Sequence, residues 1–176
     1  MYIDRRKVAE ARGMAVAFAY EEQVRHAVIV DTHHGDTVAT AAIRQVLDAC
    51  GKSAPRGLSA DLVSTTATER RIIEVKGRGS SGPIGLIERE LNTLEAAAEC
   101  GWLYVVWHTT QSSPYELWLV QDPARLPRVE SQAARRTPEE YRGARHEARY
   151  EVQAADVERL GVRADLTVVD GLPIKD

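Results

Sequence analysis

Asp61, Glu74 and Lys76 are the residues of this chain whose types and spacing point to chemistry. The run Arg71-Ile72-Ile73-Glu74-Val75-Lys76 reads as a strand. Alternate strand side chains share a face, so Ile72, Glu74 and Lys76 point one way and Ile73 and Val75 the other. An isoleucine on each face implies that both are covered. A glutamate and a lysine on a covered strand are costly unless they pair or bind something. Asp61 opens the preceding β-rich run, Asp61 to Thr66, and Ala67-Thr68-Glu69 is short enough to join the two runs as a hairpin. That pairing brings Asp61 towards Glu74 and Lys76. Two carboxylates with the Val75 backbone carbonyl form an oxygen set suited to Mg²⁺ or Mn²⁺. Such an ion lowers the pKa of a bound water, while Lys76 can orient that water and stabilise charge on a phosphate. A plainer reading has the same spacing: a Glu74–Lys76 ion pair on a solvated sheet face.

The elements that must position these residues follow from periodicity and stop signals. Arg5 to Gln23 reads as an alanine-rich helix and Ala27 to Val30 as a short strand. Asp36 is placed to cap a helix with Val38, Ala42, Val46 and Ala49 at helical spacing, ending at Cys50-Gly51. Gly77 to Pro83 is a loop by composition, followed by a helix with Ile87, Leu91, Leu94 and Ala98 on one stripe that stops at Cys100-Gly101. Trp102 to Trp107 suits a buried central strand, and Tyr115 to Val120 a return strand. A strand at Ala148 to Val152 and a helix at Ala154 to Leu160 close the chain. Strands interrupted by helices predict an α/β or α+β fold with a central mixed sheet flanked by helices.

A longer stretch carries a resemblance. Asp61-Leu62-Val63-Ser64, Ile72-Ile73-Glu74-Val75-Lys76-Gly77-Arg78, Glu90-Leu91, Leu103-Tyr104-Val105-Val106 and Leu119-Val120-Gln121-Asp122-Pro123 resemble the NO VEIN C-terminal domain family. That family is similar to the PD-(D/E)xK, restriction-endonuclease-like superfamily, and often ends helicase-type or defence-associated proteins. The resemblance implies a restriction-endonuclease-like α-β-β-β-α-β core with Asp61, Glu74 and Lys76 on catalytic positions. It also implies an acidic position at Glu90 in the following helix. Ser59-Ala60 stand where the family has glycine and an aromatic before its aspartate. Two helices compete for the family's leading helix: Glu10 through Glu21, and Val38 to Cys50. A fourth carboxylate is therefore sought between Glu10 and Glu21.

The remaining features are read more plainly. Arg70, Arg71 and Arg78 flank the strand and are placed to hold DNA phosphates or to form a solvated hairpin end. The arginines from Arg125 to Arg149 are interspersed with glutamates and read as a solvated helical face. His33-His34 lacks a third ligand and reads as surface loop; His108 reads as a hydrogen-bonded structural histidine. The tryptophans and tyrosines at 102–118 read as strand packing. The length of 176 residues suits one domain: a helical part over 1–50, the resemblance over 61–123 and an extension over 124–176. A net charge of -3 excludes a non-specific DNA coat protein and requires any nucleic-acid contact to be local. Two cysteines without a C-x-x-C pair argue against a disulfide scaffold and suit a reducing cytoplasm. The expectation is a Mg²⁺- or Mn²⁺-dependent endonuclease domain acting on DNA in restriction, repair or phage defence. The alternatives are an inactive nuclease-fold module that binds DNA or a helicase-type partner, and a purely structural interaction domain.

Overall fold

A computed structural model describes residues 4–131 and 148–175. Helix α1 (Arg5–Gln23) starts at Asp4, whose carboxylate accepts the Arg6 N–H. Strand β1 (Val28–Asp31) leads into α2 (Thr37–Ala49), which Asp36 caps by accepting the Ala39 N–H at 2.8 Å. Strands β2 (Leu62–Thr65) and β3 (Arg70–Gly77) form the expected hairpin. Then come β4 (Ile84–Ile87), α3 (Glu88–Ala97), β5 (Gly101–Trp107) and β6 (Glu116–Gln121). The chain ends with β7 (Val129–Glu130), β8 (Arg149–Val152), α4 (Ala154–Leu160) and β9 (Val162–Arg163).

Six strands make one sheet in the order β1-β2-β3-β5-β6-β9. It is mixed: β3 runs antiparallel to β2 and parallel to β5, with α3 in the connection. The fold is α+β, a central mixed sheet flanked by helices, as the pattern of runs predicts. Both faces are covered, so the isoleucine on each side of β3 was a sound signal. On one face Val16 and Ala17 of α1 pack on Leu62, Ile73, Val75 and Tyr104. On the other, Ile43, Val46 and Leu47 of α2 meet Val63 and Ile72, while Leu91 of α3 meets Leu103, Val105 and Trp107. The two helices that compete for the leading role therefore lie on opposite faces. Both belong to the packed core.

Three expectations need correction. Ile87 is not on the apolar stripe of α3, because Ile84 to Ile87 forms strand β4 in a second sheet, β4-β8-β7. Ile84 and Leu86 are buried and Gly85 exposed between them, a period of two. Ala98 likewise falls past the end of α3, in a short 3₁₀ turn at Ala98–Cys100. The cysteines are not unpaired: Cys50 and Cys100 form a disulfide across a sequence separation of 50. The two Cys-Gly stops end helices whose packed ends meet over the same sheet face, where Ala97 joins the α2 cluster. The pairing withdraws the cysteine argument for a reducing compartment. The solvated helical face from Arg135 to Arg145 lies outside the described residues.

One close approach fixes α1 against the end of β3. A Cβ on Gly77 would sit 2.0 Å from the Ala9 carbonyl oxygen, and one on Gly13 would sit 2.8 Å from the Gly77 Cα. Backbone meets backbone there, so neither glycine has room for a side chain. Gly77→Ala is expected to push α1 off the sheet and to lower unfolding free energy by about 1–3 kcal/mol, the usual cost of overpacking. Urea denaturation checks this; a midpoint equal to wild type would show that α1 is not clamped at Gly77.

Candidate active site

The hydrogen-bonding register makes a notch in the sheet. The last residue pair between β2 and β3 is Leu62 with Ile73, whereas β3 continues alongside β5 to Gly77. From Glu74 to Gly77, β3 has no β2 partner. Alternate residues of a strand direct their N–H and C=O to opposite neighbours. Ile73 takes the Asp61 N–H at 2.9 Å and so faces β2, while Arg78 donates to Val106 and faces β5. Val75 therefore directs its backbone groups into the notch. Asp61 fills the vacant position with its side chain, Oδ2 accepting the Val75 N–H at 2.7 Å. A carboxylate thus replaces the missing strand, and the Val75 carbonyl faces the same gap.

Glu74 and Lys76 project from the α3 side of β3. Lys76 Nζ lies 2.8 Å from Glu74 Oε1 and 2.8 Å from Glu90 Oε2. Glu90 is held in turn, since the same Oε2 accepts the Ile87 N–H at 3.0 Å at the start of α3. The Glu74 side chain is only 4% exposed, Glu90 13% and Lys76 20%. The solvated ion pair is therefore excluded: this is a buried cluster. Asp61 and Glu74 line the same cavity, near enough for each to feel the other's charge. Three carboxyls face one ammonium.

The electrostatics follow from that imbalance. Burial pushes the Glu74 carboxyl well above its ordinary value, and Asp61 and Glu90 push the same way against the pull of Lys76. Burial also raises Asp61, outweighing the hydrogen bond from Val75. For Lys76 burial acts downward, but Glu74 and Glu90 outweigh it and the net shift is up. Lys76 is therefore a permanent cation and hydrogen-bond donor here, and no proton-abstracting base. For Glu74 and Asp61 the linkage sign is set by a folded-state pKa above the unfolded one. Their contribution to stability is complete below the ordinary carboxyl range and is lost as pH rises through the raised values. In chelator, the melting temperature of wild type is expected to fall relative to Glu74→Gln as pH climbs above the ordinary glutamate value of 4.5. Parallel melting curves for the two proteins across that range would contradict the raised pKa.

A cavity of about 830 Å³ opens on this cluster. Its floor includes Asp61, Glu74, Val75 and Lys76. One wall is the start of α1, with Arg6, Lys7 and Glu10; the other is β4 with Glu90, and Arg149 of β8 lies at the rim. Arg78 and His33 line it too. The structure thus brings together Asp61, Glu74, Val75, Lys76, Glu90, Glu10 and Arg78. Glu10 is exposed and pairs with Arg6 at 2.8 Å. Among the described residues no group of three or more His, Cys, Asp or Glu is arranged to hold a metal ion.

Glu21, Arg70 and Arg71 are elsewhere. Arg70 is exposed and Arg71 buried at the opposite end of β3, where Thr65 and Ser64 pair with them. Arg71 stacks on Trp102 at 3.7 Å, donates to Tyr104 Oη at 2.5 Å and pairs with Glu69 at 3.0 Å. Glu21 is fully buried beside it, accepting from Tyr104, Ser64 and Arg25. Neither arginine lines the cavity, so the pairing of Arg70 and Arg71 with Arg78 as one basic patch does not hold. Arg6, Lys7 and Arg149 take their place on the rim. The Arg5-Arg6-Lys7 run was a visible signal for the first two; Arg149 had none, since it arrives from the second sheet. His108 is hydrogen-bonded to Gln111 at 3.0 Å, in line with a structural role.

No helix among the described residues is long and apolar enough to cross a membrane. A search of curated proteins found no match, and neither did a search of solved structures. A scan against family models found one, described as Protein NO VEIN, C-terminal, over residues 35–120. The matched span begins just before α2 and ends within β6, so it holds Asp61, Glu74, Lys76 and Glu90 but leaves α1 outside. The expectation that Glu10 to Glu21 forms the family's leading helix is therefore not supported; α2 leads the matched span. Over residues 35–120, the stretch that carries the candidate site, the chain matches the NO VEIN C-terminal family.

Proposed function

We propose that this is a divalent-metal-dependent nuclease domain of the PD-(D/E)xK, restriction-endonuclease-like type, hydrolysing phosphodiester bonds in DNA. The observation that carries the reading is that Asp61 and Glu74 line one cavity at a notch where the Val75 backbone faces the same gap. Glu74, buried, and Asp61, half-buried, both with raised pKa, form an anionic site short of positive charge, since Lys76 supplies one cation against Asp61, Glu74 and Glu90. A hard divalent cation fits that set: Asp61, Glu74 and the Val75 carbonyl are all oxygen donors, with further positions left to water and substrate. Mg²⁺ or Mn²⁺ would supply Lewis-acid polarisation and an activated water. Lys76, fixed between two carboxylates, holds a proton at Nζ and presents positive charge beside the reacting phosphate. Glu90 positions that ammonium from a capped helix end.

A second reading is favoured by one observation. The Glu74–Lys76–Glu90 cluster is already hydrogen-bonded within itself and can stand as a structural core of a module that binds DNA or a helicase-type partner without turnover. A restriction, repair or phage-defence setting suits either reading. Purified protein incubated with labelled DNA in Mg²⁺ or Mn²⁺ decides between them. Cleavage that disappears in chelator and in Glu74→Ala is the expected result. Intact DNA at high protein concentration in both metals would overturn the nuclease reading.

A further inference from the structure

The cavity limits which form of a polynucleotide can reach its floor. We propose that the site takes an unpaired nucleic-acid strand, threaded between the α1 wall and the β4 wall, and rejects an intact duplex. The inference rests on the nuclease reading for the choice of floor, but it follows from shape and charge. The cavity, of about 830 Å³, lies between the start of α1 on one side and β4 on the other. Glu74 and Glu90 lie at its base with side chains only 4% and 13% exposed. A phosphate fixed on a rigid duplex is flanked by its own sugar, base and opposite strand, and cannot descend to groups so deep. An unpaired strand has no such escort and can bend its backbone inward.

The walls are suited to guide it. Arg6 and Lys7 line one side from α1, and Arg149 lines the cavity from β8, with Arg78 at the end of β3; all four are exposed. Arg6 also pairs with Glu10. Exposed cations around a recessed carboxylate floor hold a polyanion by its phosphates without reading its sequence. The same cations on a chain of net charge -3 keep attraction local to the cavity mouth. The α1 wall cannot swing away cheaply, because Gly13 and Gly77 are in backbone contact. The opening is therefore a built feature of the fold.

The test is binding, read without turnover. A fluorescein-labelled oligothymidine and its blunt duplex with oligoadenine are titrated with full-length protein in chelator, and anisotropy is followed at several salt concentrations. The strand is expected to bind about tenfold or more tightly than the duplex, with affinity falling as salt rises. Lys7→Glu and Arg149→Glu, both at exposed positions, should each weaken strand binding severalfold and leave the melting temperature unchanged. Equal affinity for the two forms, absence of binding to either, or unchanged affinity in both variants overturns the proposal. Selective strand binding without cleavage in Mg²⁺ or Mn²⁺ would leave this inference standing and remove the nuclease reading. Equal cleavage of strand and duplex would do the reverse.

Discussion

Lys76→Ala is expected to abolish metal-dependent cleavage and to destabilise the fold at the same time. Removing the ammonium leaves Glu74 and Glu90 facing each other in a buried site with no counter-charge, 2.8 Å from where Nζ had been. Breaking a buried ion pair by removing one partner costs about 3–5 kcal/mol. Part of that loss returns at low pH, where the carboxyls take up protons, so the deficit should widen as pH rises. On the proposed nuclease reading, loss of a charged donor beside the reacting phosphate is expected to lower turnover by about 10²–10³. The two effects separate in Lys76→Ala/Glu90→Gln, which removes one of the opposed carboxylates. That double variant should recover much of the stability in a chemical denaturation series and none of the cleavage. If it recovers cleavage as well, Lys76 acts only by holding the fold together. If Lys76→Ala alone cleaves at the wild-type rate, the ammonium has no part in the reaction.

What the sequence disclosed about this site was local. Strand alternation placed Glu74 and Lys76 on one face, and the short link at residues 67–69 returned Asp61 to their side; both hold because hairpin partners are near neighbours in the chain. The helix stop at Cys50-Gly51 also read correctly, since Gly51 takes a left-handed φ of 69°, whereas α3 stops short of Cys100-Gly101, at Ala97, and Ala98 takes the positive φ there. What escaped were relations between distant segments. The β4–β8 pairing joins residues 84–87 to 149–152 across an intervening helix and the main sheet, and no periodicity in either short run announces it. The cavity wall from α1 depends on Gly13 meeting Gly77, which only packing reveals. The Cys50–Cys100 disulfide depends on two helices ending side by side. Arg71 looked like a phosphate ligand because, with Arg70 and Arg78, it flanks the stretch that carries Glu74 and Lys76. Its face of the strand is the α1 face, shared with Ile73 and Val75, and that alternation points it into the core.

Glu21 carries the other large expected effect, and it also separates structure from catalysis. The sequence offered Glu10 and Glu21 as rival places for a fourth carboxylate, and only Glu10 lines the cavity. Glu21 sits at 0% exposure among Arg25, Ser64, Tyr104 and Arg71, with Arg25 Nη1 at 2.5 Å and Arg71 Nη1 at 3.6 Å. Glu69 compensates the same two arginines from the hairpin, at 2.6 Å from Arg25 and 3.0 Å from Arg71, but it is partly exposed. Glu21→Ala removes the only fully buried anion of this network and leaves Tyr104 and Ser64 hydroxyls without their acceptor. The combined loss is expected at about 3–5 kcal/mol, a large share of the roughly 5–15 kcal/mol that holds a domain folded. Thermal and urea unfolding measure it. Glu21→Gln keeps the volume and an acceptor oxygen, and should fold with a smaller loss. Because the residue packs beside Arg71 on the α1 face of β3, opposite the face that carries Glu74, the folded Gln variant should keep wild-type metal dependence and wild-type strand binding. A folded Glu21→Gln protein that has lost its response to Mg²⁺ would move the fourth carboxylate from Glu10 to Glu21 and require the two faces of β3 to act as one site.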